Sequence, residues 1–262
     1  MSTATVSLAL RDSPLVADST RDRIKAHARQ IGYIYNRRAA SLRTSRSGIL
    51  GVVVHDIMNP FFAEILRSIE TELDRNRQTF ILSNHYDDVE KQRDFIETLL
   101  QLGADGVIMS PAINTPVEDI RAAEDNGLPA VLIARSVEGV DVPVFRGDDA
   151  FGTSLATNHL ISLGHKRIVM IGGTDQTSTN GIARAGLTPG QDISVTGYDD
   201  LEEAAIATPA LTTVWNGQRE VGRRAARALL DKLNGIQVGS SQELIKPELH
   251  IRQSTGRPVE RN

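Results

Sequence analysis

Two sets of residues in this chain have the types and spacing for chemistry. The first lies near the N-terminus. Ser2, Thr3, Thr5 and Ser7 set hydroxyls among the apolar Val6, Leu8, Ala9 and Leu10, and the cations Arg21, Arg23, Lys25, Arg29, Arg37, Arg38 and Arg43 follow. Hydroxyls bond to phosphates or base edges, threonine methyls touch thymine methyls, and guanidinium groups neutralise phosphates. Residues 1–47 hold nine Lys/Arg against three Asp/Glu, a net +6 in a chain of net −4, so the remainder carries −10. A small basic end on an acidic body is the electrostatic footprint of nucleic-acid binding. The bland alternative is a solvated charged face.

The second set follows apolar runs. His55-Asp56, Asn84-His85, Ser110, Arg135, Asp148, Thr174 and Tyr198-Asp199-Asp200 stand where strands are expected to end. In open α/β sheets, ligands sit outside the carboxyl ends of the strands. Trp215, the sole tryptophan, either stacks on a sugar face or fills a core.

Other chemistry is missing. No phosphate-cradling glycine motif follows a strand, and no Ser/His/Asp or paired-carboxylate constellation is evident, so the chain reads as a non-enzyme without a cofactor. His85 with Asp87-Asp88 resembles a metal site, but residues on a loop ahead of a helix are more often caps, and no metal is expected. With no cysteine, disulfides and thiolate sites are excluded. No run of 18 apolar residues exists and no apolar signal region opens the chain, so a soluble cytoplasmic protein without a membrane partner is expected. Hydrophobic residues at 40 % and charged residues at 24 % are ordinary globular values.

The elements that must position these residues follow from pattern. Ser2 is a helix N-cap ahead of Val6–Leu10, and Asp12-Ser13-Pro14 breaks that helix. A second helix puts Ile24, Ala28 and Ile31 on one face and stops at Gly32. Asn36–Arg43 is a third basic piece, and Thr44–Gly48 is a linker. Strands are then predicted at Ile49–Val54, Thr79–Ser83, Gly106–Met109, Ala130–Ile133, Arg167–Ile171, Asp192–Gly197 and Glu248–Ile251, with Val142–Phe145 extended. Helices are predicted from Pro60 to Leu73, Val89–Leu102, Pro116–Asn126, Phe151–Leu163 and Gln218–Leu233. Such β-α-β alternation implies parallel sheets with right-handed crossovers.

The run TVSLALRDSPLVADSTRDRI…A…IGYIYNRRAASLR resembles the DNA-binding headpiece of the lac-repressor (LacI/GalR) family of bacterial transcription regulators. NPFFAEIL, ADGVI, LPAVLI, HLISLGHKRI, DISVTGYDD and PALTTV resemble the rest of that family. The resemblance implies a helix-turn-helix headpiece at 1–47 with a hinge helix at about 36–43. A two-lobed periplasmic-binding-protein-like α/β body would follow at 48–257. The near lobe would be about 48–147 and 216–238, and the far lobe about 148–215 and 239–257. Ser2, Thr3, Ala4, Thr5, Ser7 and Leu8 would lie nearest the major groove, and Arg21 and Arg29 on phosphates. Asn36, Arg37, Ala39 and Leu42 would enter the minor groove, with Leu42 as an apolar wedge between base steps. Phe61, Phe62, Arg135, Asp148, Asp199 and Trp215 form the expected effector set, with Asp199 bonding to hydroxyls or amines of a sugar-like effector. For Phe62 and Trp215 core packing is the competing role, and for Asp199 a loop cap. The implied function is a sequence-specific DNA-binding regulator acting as a homodimer on double-stranded operator DNA. The alternatives are a solute-binding protein of the periplasmic type and a degenerate relative that no longer binds DNA.

The chain departs from the family pattern. Ala17 and Tyr35 replace the usual Ser and Pro, and Leu8 stands where many relatives have Arg. The headpiece's first helix is expected upstream of Met1. A further block, from a helix to a second strand, is missing relative to the family between Thr179 and Asn180. Eighteen residues still separate Gly173 from Asp192, and a parallel crossover needs about a dozen. A reduced far lobe is therefore expected, with the Ile171 strand beside the Ile193 strand.

Overall fold

The computed structural model describes residues 2–10, 13–33, 46–169 and 188–258. The chain divides into two compact units, Met1–Ser47 and Gly48–Asn262.

In the first unit, α1 spans Thr3–Leu10 and α2 spans Asp18–Gln30. Ser2 caps α1, its Oγ accepting the Thr5 N–H at 3.1 Å. Buried Ala9, Val16 and Ile24 form a small core, with Val6, Leu8 and Leu10 packed against it. Ala17 stands at the N-cap of α2 and offers no side-chain acceptor. Ile31 does not join the inner face as the i, i+4, i+7 pattern predicts. It is the C-cap of α2 and 62 % exposed, because the helix ends at Gln30 and the chain reverses at Gly32, φ +68°. Asn36–Arg43, the expected hinge, lies outside the described residues.

The second unit is built on a six-stranded parallel sheet in the order β2-β1-β3-β4-β5-β8. Its strands are β1 (Ile49–Val54), β2 (Thr79–Asn84), β3 (Gly106–Met109), β4 (Ala130–Ile133), β5 (Val144–Gly147) and β8 (Gln242–Ile245). The central strands are apolar on both faces because helices cover both. On one face α3 (Pro60–Arg75) and α8 (Gln218–Leu233) bury Ile65, Ile69, Leu73, Val221, Ala225 and Leu229 against Leu50, Val52 and Ile108. On the other, α4 (Val89–Leu102) and α5 (Val117–Asp125) bury Phe95, Leu99 and Ile120 against Val53, Val107 and Met109. Each large side chain so buried contributes about 1.5–3 kcal/mol.

A smaller sheet carries β6 (Thr196–Tyr198), β7 (Thr212–Trp215) and β9 (Glu248–His250), with β6 parallel and β9 antiparallel to β7. Between β5 and β6 in sequence lies α6 (Asp149–Ser162), which packs on β7 and β9, and the short α7 (Glu202–Ile206) lies between β6 and β7.

Several elements differ from the sequence expectation. Residues 165–169 are irregular, and Val169 is 82 % exposed, so the described part of the predicted Arg167–Ile171 strand is not a strand. The predicted Asp192–Gly197 strand shrinks to Thr196–Tyr198. Upstream, Ile193 bridges only Pro189, and Ser194 and Val195 bond to Gly256 and Ser254 of the C-terminal segment. The extended stretch begins at Val144, since Pro143 has no N–H to give the ladder. Helix α6 starts at Asp149, before Phe151, because Asp148 caps it. Strands β7 and β8 and helix α7 were not anticipated. The placement of residues 239–257 in the far lobe needs correction: β8 pairs with β5 in the large sheet, and only β9 belongs to the small one. That sheet is also mixed rather than parallel, because β9 returns antiparallel along β7.

Candidate ligand-binding site

Strand ends of both sheets supply the polar residues. On the small-sheet side, Asp199 follows β6 with φ +77° and Asn216 follows β7. Asn216 Nδ2 donates to Asp199 Oδ1 at 2.8 Å, and Gln218 Nε2, in the first turn of α8, donates to the Asp199 carbonyl. Burial and the neighbouring charge of Asp149 push the Asp199 carboxyl up to about 6, although the Asn216 bond pulls it down. Asn216 is 4 % exposed, and its Oδ1 has no hydrogen-bond partner among the described residues. Tyr198 Oη donates to Asp149 Oδ1 at 3.1 Å, and burial with the nearby carboxylates raises that phenol. This corner therefore presents acceptors in a sparsely hydrated setting, suited to a hydroxyl or amine donor.

Asp200, next to Asp199, has a different task. It accepts from His250 Nδ1 at 2.6 Å and pairs with Arg252 Nη1 at 2.8 Å, tying the end of β6 to β9.

The large sheet brings a second group together. His85 is fully buried; its Nε2 lies 2.7 Å from the Ser110 carbonyl, and its Nδ1 accepts the Asp87 N–H at 2.9 Å. Burial lowers its pKa, so the ring is neutral with the proton on Nε2. Asp87 pairs with Arg135 and accepts the Ile113 N–H at 3.1 Å; burial opposes its ionisation, but these bonds hold its carboxyl below the ordinary value. His55 Nδ1 lies 3.2 Å from Asp87 Oδ2, out of line for a hydrogen bond. His55, His85 and Asp87 thus gather within 4.8 Å. His85 Nδ1 and Asp87 already spend lone pairs on the Asp87 N–H and on Arg135, so these two serve a hydrogen-bonded scaffold, while His55 Nδ1 has no hydrogen-bond partner among the described residues.

The predicted effector residues separate into distinct environments. Asp199 sits in the donor-accepting corner. Asp148 caps α6, its Oδ1 accepting the Phe151 N–H at 3.0 Å. Arg135 spends its guanidinium on Asp87 and the Pro111 carbonyl, 3.1 Å away. Phe62 is a core residue, 5 % exposed, and Phe61 packs edge-to-face on it with centroids 5.1 Å apart. Trp215 ends β7 and is half-buried. Tyr198 stood in the strand-end set read from the sequence, whereas Asn216 and Gln218 did not, because nothing local in the sequence distinguishes those two from ordinary polar residues.

In the headpiece, Ser2, Thr3 and Ala4 are exposed, and Thr5, Ser7 and Leu8 are half-buried. Arg29 is exposed, whereas Arg21 bonds to the Ser13 carbonyl at 3.3 Å and pairs with Asp18. Asn36, Arg37, Ala39 and Leu42 lie outside the described residues. Among the described residues, no helix is long and apolar enough to cross a membrane.

Known proteins place this architecture. Relatives include the maltose regulon regulatory protein MalI of Escherichia coli (strain K12), 32 % identical over 180 residues, or 68 % of this chain and 52 % of MalI. In that alignment the chain spans about half the relative's length. The HTH-type transcriptional repressor CytR of the same organism is 25 % identical over 319 residues, covering 97 % of this chain and 93 % of CytR. An alignment of that length over a 262-residue chain leaves a tract of CytR without a counterpart here. A lac repressor dimer bound to operator and the anti-inducer ONPF superposes with a TM-score of 0.82 at 23 % identity, over 98 % of this chain and 96 % of that one. A LacI family regulator from Enterococcus faecium with bound ribose gives 0.69 at 24 % identity, over 81 % of this chain and all of that one. These solved structures share the fold. A model of a periplasmic binding protein-like domain matches residues 179–255. The model described as periplasmic binding proteins and sugar binding domain of LacI family matches residues 47–191, more than half of the sequence, and the chain belongs to that family.

Proposed function

We propose that this protein is a sequence-specific transcriptional regulator that binds double-stranded DNA through residues 1–47. A small polar effector, sugar-like in its hydroxyl or amine groups, would control it from the strand-end cleft. One observation carries the reading: the match to a transcriptional repressor runs through 97 % of this chain, so it includes the helix pair of the basic N-terminal unit as well as the body. The body alone would serve a solute-binding protein equally; the basic unit has no task there.

Ser2, Thr3, Ala4, Thr5, Ser7 and Leu8 are the residues proposed to face base edges, with Arg21 and Arg29 on phosphates and Asn36, Arg37, Ala39 and Leu42 at the minor groove. Asp199, assisted by Asn216, is the proposed anchor for the effector, and the half-buried Trp215 is a stacking surface for it. Phe61, Phe62, Arg135 and Asp148 shape the cleft from behind through packing, pairing and capping. The regulator acts in the cytoplasm as a homodimer, because one headpiece covers only a half-site and two-fold protein symmetry matches a two-fold operator. An effector that favours one lobe arrangement shifts the population of DNA-competent dimers.

The test is in-vitro selection of bound duplexes from a random pool, repeated with a panel of sugars, nucleosides and amino sugars. Enrichment of a pseudo-palindrome whose retention changes with one panel member is the expected result. Recovery of unenriched DNA, with a cleft ligand nevertheless found by thermal shift, would move the protein to the solute-binding class.

A further inference from the structure

The outer faces of α3 and α8 form a groove unrelated to the strand-end cleft. The helices touch closely at its floor, where a Cβ on Gly222 would stand 2.4 Å from the Ile65 carbonyl oxygen. Above that crossing lies a cavity of about 300 Å³ lined by Arg67, Arg75, Arg219, Arg223, Glu72 and Glu220, with Ser68 and Thr71. Each acid is shared between two cations. Glu64 lies 2.5 Å from Arg219 and 3.9 Å from Arg67; Glu72 lies 3.2 Å from Arg75 and 3.1 Å from Arg227; Glu220 pairs with both Arg223 and Arg224. Arg224 pairs with Glu243 as well, so four carboxylates face six guanidinium groups and the cluster keeps a net positive charge.

Arg67 and Arg219 keep 72 % and 66 % of their side-chain surface open to solvent. Ser68 and Thr71 donate their hydroxyl protons to the carbonyls of Glu64 and Arg67 on their own helix. The donors left to meet a ligand in the groove are therefore guanidinium N–H groups, converging from two helices. Planar forks of this kind match a dianion with three equivalent oxygens, which several can grip at once, better than a carboxylate with two. The shared glutamates have already ordered the side chains, which lowers the entropy cost of binding. The volume stands at the lower end of small-molecule pockets and admits a phosphate with a compact substituent.

We propose that the groove between α3 and α8 is a binding site for a phosphomonoester dianion, occupied independently of the strand-end cleft. The test titrates the 262-residue protein at low salt and pH 7.5 with inorganic phosphate, glucose 6-phosphate and glucose, followed by calorimetry. Saturable binding of the two phosphates is expected, weakened about ten-fold or more by Arg67→Ala with Arg219→Ala. Both positions are exposed, so melting should be unchanged, and that is measured alongside. Glucose 6-phosphate binding more tightly than inorganic phosphate would show that the groove also reads the substituent; equal affinities would show that it reads phosphate alone. Equal phosphate affinity in the parent and the double variant overturns the proposal. So does a variant altered only in self-association by light scattering, since the groove would then be a protein contact.

Discussion

Asn216 reaches from the end of β7 to donate to the carboxylate of Asp199 at 2.8 Å, and its own Oδ1 is buried without a partner among the described residues. A buried amide that satisfies one neighbour and lacks another is costly unless something completes it. A ligand bearing two adjacent donors would complete both Asn216 and Asp199.

Asp199→Ala should therefore abolish the effector response without unfolding the body, since a strand-end loop residue supports little of the core. Calorimetry with the effector identified by the selection assay is the check; unchanged affinity would refute the site.

The pH dependence follows from the same carboxyl. Its folded-state pKa, raised to about 6, lies above the ordinary 3.8. The folded protein then holds the proton more tightly, so stability falls as pH rises between about 4 and 6 and stays low above that range. Asp199→Asn, which keeps an acceptor for Asn216, should gain stability at pH 7.5, with an upper bound of roughly 3 kcal/mol from the size of the shift. It should gain nothing at pH 4. Denaturant melts at the two pH values decide it, and a gain independent of pH would contradict the assignment.

Ala17, the N-cap of helix α2, offers no side-chain acceptor to the first-turn amides. Ala17→Ser should stabilise the headpiece by about 1 kcal/mol. Amide exchange at Ser19 and Thr20 should slow about five-fold if local opening governs it, while β1 amides stay unchanged. No slowing would mean that the φ and ψ at this position do not let a serine reach.

The headpiece cations and the hinge can be told apart on DNA. Arg29→Ala should weaken binding to all sequences and reduce the salt slope by about 1. Leu42→Ala should instead weaken the selected site alone and reduce the bend, as loss of an apolar wedge requires. Gel shifts over a salt series with specific and random duplexes separate the two. A Leu42→Ala protein that binds its operator like the parent would remove the hinge assignment.

Gly222→Ala would place its Cβ 2.4 Å from the Ile65 carbonyl oxygen, inside a helix crossing that has no slack. Overpacking of this kind costs about 1–3 kcal/mol. A lower denaturation midpoint with an unchanged slope is expected, and a neutral result would mean that α3 can shift outward freely.

The large sheet was readable because its signals are local. Ile49–Val54, Gly106–Met109 and Ala130–Ile133 are apolar on both faces, and the helices at Val89–Leu102 and Gln218–Leu233 carry their own periodicity and stops. The headpiece caps and the basic bias of residues 1–47 were equally local. The small sheet was not readable in the same way. β8 alternates exposed and buried residues at a sheet edge, and only its pairing with β5 assigns it to the large sheet. Ser194 and Val195 look like strand residues but bond to the C-terminal segment some 60 positions away. The strand-end acids were visible as a set, and the family resemblance picked out Asp199, but residue type and spacing alone did not separate their roles. Tertiary contacts sorted them: Asp148 to a cap, Asp200 to His250 and Arg252, Asp87 to Arg135, and Asp199 to Asn216. A carboxylate's role depends on which donor reaches it and how much water remains around it, and both are set by residues far away in the chain.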